Sequence, residues 1–154
     1  MITEKLLHKI ISDYRLSLNG IHGIAHWARV LENGRMLMQH ASSDISKNVV
    51  ELFAIFHDSC RKNDMRDKDH GRRGAEFAAS LRGEYFNLPD SEFDILHEAC
   101  SYHNLNKKTD NETIKICWDS DRLDLARVFI RPDPKYLFTK RAKEANTIQW
   151  ANQR

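Results

Sequence analysis

Apolar residues in this chain recur at steps of three and four from one end to the other, and nowhere alternate with period two for more than a few residues. That spacing is the mark of helices with one buried stripe, and its persistence excludes a sheet-based fold. Leu6, Leu7, Ile10, Ile11 and Tyr14 predict a first helix within residues 2–16. Ile24, Trp27, Val30, Leu31 and Met38 predict a second, over 23–40. Asp44 or Ser46 can cap a third, carrying Val49, Val50, Phe53 and Ala54. The polar segment 59–69 reads as a surface loop. An alanine-rich helix over 72–81 follows, and another opens at Pro89-Asp90-Ser91 with Phe93, Leu96, Ala99 and Cys100 as its stripe. Beyond a connector at 109–112, Ile114, Cys117, Trp118, Leu125 and Val128 extend a further helix toward the stop at Arg131-Pro132-Asp133-Pro134. A last helix is expected over about 139–152. The prediction is one all-α domain spanning 1–154, with six to seven helices.

The 154 residues suit one packed core and are too few for two domains. Hydrophobic residues make up 41% and charged residues 30%, which excludes the composition of a disordered chain. With 24 basic against 22 acidic residues, the net charge of +2 offers no whole-surface attraction for nucleic acid or an anionic membrane. No apolar run approaches the ~20 residues of a membrane span. The start, Met-Ile-Thr-Glu-Lys-Leu-Leu-His, has no signal-peptide pattern. Cys60, Cys100 and Cys117 form neither a disulfide framework nor a thiolate zinc motif. A cytoplasmic protein with reduced thiols is expected.

Histidine is the unusual residue, with eight copies. His57 continues the series Val50, Phe53, Ala54, and so lies on a buried stripe. His103 does the same after Leu96, Ala99 and Cys100, and Asp121 falls in line with Ile114, Cys117 and Trp118. An unpaired buried carboxylate is prohibitively costly, so such groups imply protonation, an ion pair or a metal. Arg122 or Arg127 could pair Asp121, and a single buried histidine is satisfied by one hydrogen bond. Several such positions on separate helices, one an adjacent His-Asp, equally suit a first-row divalent metal.

In order, these residues resemble the HD-domain superfamily of metal-dependent phosphohydrolases, over about residues 20–130. His26-Trp-Ala-Arg-Val resembles the opening histidine motif, and Ala54-Ile-Phe-His57-Asp58 the doublet. Asp119-Ser-Asp121-Arg122-Leu123-Asp124 resembles the closing aspartate, a role that falls on Asp121. His70, before Gly71-Arg-Arg-Gly74-Ala75, and His103, in Ala99-Cys-Ser-Tyr-His103, resemble the two further histidines of members that bind a second metal. The resemblance implies an HD-type helical domain holding one or two divalent ions (Mn, Fe, Co, Ni, Mg or Zn). His26, His57, Asp58 and Asp121 would surround one ion and Asp58, His70 and His103 the other, with Asp58 bridging and holding the attacking water.

The activity implied is hydrolysis of a small phosphate ester, a nucleotide or other phosphorylated metabolite, by metal-activated hydroxide. An oxidative di-iron reaction of the HD type, or a non-catalytic metal-stabilised binding domain, would use the same ligands. The run 59–73 supplies cations for a substrate phosphate, with Arg61, Lys62 and Arg73 the candidates. Asp119, Asp124 or backbone carbonyls are the possible partners for the second ring nitrogens of the histidines. His22 either points to the pocket or caps a helix.

Overall fold

A computed structural model describes residues 1–42 and 44–154. Among these are eight α-helices, two 3-10 turns and no strand: α1 Glu4–Asp13, α2 Ile24–Met38, α3 Lys47–Phe56, α4 His70–Leu81, α5 Asp90–Tyr102, α6 Glu112–Arg122, α7 Lys140–Lys143 and α8 Ala145–Asn152.

The central element is α3. Its last eight residues, from Val49 to Phe56, are all buried, and it packs against α2, α5 and α6. Seven of these eight are apolar and the eighth, Glu51, is paired with Arg35 at 2.8 Å, so the helix lies inside. Each side chain of leucine or phenylalanine size buried this way contributes about 1.5–3 kcal/mol. Ser46, not Asp44, caps its start through Oγ and the Val49 amide. The consequence for the site is that His57 and Asp58, which follow Phe56 directly, are delivered into the core rather than to the surface.

Helix α4 lies close against this end. A Cβ on Gly74 would stand 2.4 Å from the Phe56 carbonyl oxygen, and one on Gly71 would stand 2.4 Å from that of Cys100. Only glycine lets α4 approach both neighbours, and the approach brings His70 to the ends of α3 and α5.

Two segments differ from the periodicity. Helix α6 stops at Arg122, because Asp124 is drawn to α2 and leaves helical geometry; residues Leu125–Val128 make a 3-10 turn that ends in Phe129 at φ 62°. The expected helix over 139–152 is two helices, α7 and α8, separated by Glu144 in extended conformation. Among the described residues no helix is long and apolar enough to cross a membrane.

Candidate metal centre

Five helices bring six side chains together. His26 comes from α2, His57 and Asp58 from the end of α3, His70 from the first position of α4, His103 from the C-cap of α5, and Asp121 from the last turn of α6. All but Asp121 are buried; the Asp121 side chain is 18% exposed and the other five at most 3%.

Asp58 divides the cluster. Its Oδ2 lies 3.5 Å from His26 Nε2 and 3.8 Å from His57 Nε2. Its Oδ1 lies 3.0 Å from His70 Nε2 and 3.6 Å from His103 Nε2. Within each pair the Nε2 atoms are 3.0 Å apart (His26 and His57) and 2.9 Å apart (His70 and His103). Asp121 Oδ1 closes the first group, 3.4 Å from His26 Nε2 and 3.7 Å from His57 Nε2.

The opposite edge of every ring is tied down. His57 Nδ1 bonds the Phe53 carbonyl at 3.1 Å, His70 Nδ1 that of Asp67 at 2.5 Å, and His103 Nδ1 that of Cys100 at 2.8 Å. A carbonyl only accepts, so each of these Nδ1 atoms carries the proton, and a neutral ring then turns a bare Nε2 lone pair inward. His26 Nδ1 instead bonds Asp124 Oδ2 at 2.7 Å, and Arg29 Nε donates to the other oxygen of Asp124 at 2.6 Å. Lone pairs facing across about 3 Å repel unless a metal ion or a proton lies between them. This donor set of imidazole nitrogen and carboxylate oxygen could hold first-row divalent metal ions in two groups, His26-His57-Asp58 and Asp58-His70-His103.

The charges agree. Burial works against the charged form of His26, but Asp121, Asp124 and Asp58 outweigh it and hold its pKa up at about 9. Burial drives His57 down to about 3. Asp58 lies well below the usual carboxylate range despite burial, because His57, His103, His26 and His70 face it. His26, against the same burial, also depresses Asp121 and Asp124, helped by His57 at the former and Arg29 at the latter. Without metal, His26 therefore keeps an extra proton among the carboxylates of Asp58, Asp121 and Asp124.

The loop after Asp58 sends its cations two ways. Arg61 Nε donates to Asp58 Oδ1 at 3.0 Å, so Arg61 stands at the cluster. Lys62 and Arg73 line a separate cavity of about 340 Å³ with Asp13, Arg15 and Phe77. The Arg73 guanidinium donates to the Cys60 carbonyl and to Asp67, and none of its bonds reaches the cluster. Asp119 turns away as well, accepting from the Phe138 and Thr139 amides and the Thr139 hydroxyl. His22 does not cap α2: it is buried, and its Nδ1 lies 2.9 Å from Asp64 Oδ1. Asp64, in a charged exposed loop, carries no periodic signal that would have marked it.

No protein-family model matches this chain, and no curated protein matches it. Among solved structures, the chain is similar to a crystal structure described as a predicted HD superfamily hydrolase from an uncultured Thermotogales bacterium. The TM-score is 0.71 at 24% identity, over 96% of this chain and 83% of that one. At that identity the likeness carries the fold, and the fold is the HD-type helical scaffold.

Proposed function

We propose that this protein is a metal-dependent hydrolase of small phosphate esters, a nucleotide or another phosphorylated metabolite. The observation that carries the reading is the division of Asp58, one carboxylate oxygen toward His26 and His57 and the other toward His70 and His103. The likeness to a structure described as a hydrolase supports it. His26, His57, Asp58 and Asp121 hold one divalent ion in this reading, and Asp58, His70 and His103 the second.

Bound there, such ions supply a water acidic enough to ionise near neutral pH and positive charge for the phosphoryl oxygens. The chain supplies the rest. Asp58 fixes the spacing of the two histidine groups. Arg61, already 3.0 Å from Asp58, is the cation placed to orient a phosphoryl oxygen. The hydrogen bonds behind the four rings keep their lone pairs aimed inward through turnover. In the net reaction a water oxygen bonds to phosphorus, the ester P–O bond breaks, and the departing alcohol oxygen gains a proton.

Elemental analysis of wild type beside Asp58→Ala, with turnover of phosphomonoesters and phosphodiesters by both, tests the reading. Bound divalent metal with ester hydrolysis, both lost in the variant, is the expected result. No metal after reconstitution, or an iron pair with oxygen consumption and no hydrolysis, would overturn it.

A further inference from the structure

The rim of the cluster is far more basic than the chain as a whole. The loop strip Asn104–Asn106 separates two clefts of about 440 Å³ each, one reaching His70 and the other His103. Arg61, Arg66 and Lys68 line the first; its carboxylate, Asp67, is occupied by Arg73 and by the Lys62 amide. Lys107, Lys108, Arg122 and Lys135 line the second, and its lining includes no carboxylate among the described residues. The chain as a whole is nearly balanced, with 24 basic and 22 acidic residues, so the four cations on this wall are a local concentration.

The second cleft also has fixed and free parts. Arg122 is pinned, donating to the Tyr136 carbonyl at 3.0 Å and lying 5.1 Å from the Phe138 ring centre. Lys107 and Lys135 have carboxylates nearby, Glu98 at 3.6 Å and Asp133 at 3.3 Å. Lys108 is exposed and has no hydrogen-bond or ion-pair partner among the described residues. Asn104 is anchored on the Lys68 carbonyl, which steadies the strip between the clefts. A cleft lined by four cations, with the Glu98 and Asp133 carboxylates beside only two of them, opens beside His103 and fits a second anionic group rather than a neutral sugar or an apolar tail.

Resting on the hydrolase reading above, we infer that the substrate carries two anionic groups. The scissile phosphoryl sits at the cluster under Arg61. A second phosphate, on the leaving alcohol, lies in the cleft between Lys108 and Lys135. These lysines set specificity and take no part in the chemistry.

The test compares adenosine 3′,5′-bisphosphate with adenosine 5′-monophosphate as substrates of the metal-loaded protein. A preference in kcat/KM of about tenfold for the bisphosphate is expected, the worth of about one charge-assisted hydrogen bond. Lys108→Gln with Lys135→Gln brings the ratio close to one through KM. Lys47→Gln, at the opposite end of α3 from His57, preserves it. Calorimetric binding of the bisphosphate to metal-free protein should weaken about as much in the double variant. Equal use of both esters, or a preference that survives the double variant, would overturn the inference and leave the hydrolase reading standing. If neither ester is hydrolysed, the binding measurement decides the cleft alone: bisphosphate binding that is undiminished in the double variant overturns the inference.

Discussion

The two histidine pairs flanking Asp58 look alike in outline and differ in charge. The His26 and His57 side sees three carboxylates, with Asp58 and Asp121 facing the Nε2 atoms and Asp124 behind His26. The His70 and His103 side sees Asp58 alone, and both of its rings are backed by neutral carbonyls. His26 and His57 are fully buried, whereas each ring of the other pair borders a cleft. Attraction for a divalent ion grows with the facing negative charge and with the exclusion of water. In the hydrolase reading, the first side would hold an ion more tightly, and the second would exchange one more readily.

Removing Asp58 should erase the difference by emptying both sides. Asp58→Ala is expected to lose all bound metal and at least about 100-fold in hydrolysis, since even residues behind the ligands are worth 10–100-fold; elemental analysis and ester turnover check it. His103→Gln should separate the sides, keeping one ion per chain and losing the other. Retention of both ions would show that His103 is no ligand. Asp124→Asn weakens the support behind His26 together with the Arg29 ion pair, and about a 10–100-fold loss of affinity at the first side is expected in a metal titration.

The pH dependence sharpens the comparison further. His26 is raised to about 9 from an ordinary 6.5, so its contribution is complete below pH 6.5 and lost as pH rises through 9. His57, lowered to about 3, has the opposite sign: its contribution is complete above 6.5 and is lost as pH falls toward 3. Metal-free protein should therefore melt highest near pH 6.5 and lose on the order of 3 kcal/mol between 6.5 and 9. A bound ion replaces the proton on His26 and should flatten that limb, as thermal melts with and without metal would record. The smallest effect is expected at Gly74→Ala. Its methyl group would press on the Phe56 carbonyl and shift α4, costing about 1–3 kcal/mol and weakening the second side before the first.

Much of this was legible before any coordinates. The helical stripes located six of the eight helices, because buried faces obey a period that the sequence displays directly. His57, His103 and Asp121 stood out as polar residues at apolar positions, and the structure brings all three together. What lay hidden is whatever depends on a bond across the fold. Nothing in the sequence distinguishes Asp124, which orients His26, from Asp119, which anchors Thr139. Likewise the neighbours Arg61 and Lys62 part company only because the chain turns between them, one toward Asp58 and the other to an outer cavity. The break at Glu144 was invisible for a related reason: both flanking helices keep helical spacing, and only the junction leaves it.

The grip of Asp119 on the Phe138 and Thr139 amides has a consequence for how such a protein diversifies. The anchor holds main-chain atoms and one hydroxyl, and is indifferent to most side chains between Asp133 and Leu137. That short stretch can be rewritten residue by residue without disturbing the helices that carry the histidines. One scaffold can then present many different walls beside the same cluster, and change in the tail leaves the arrangement of the histidines intact.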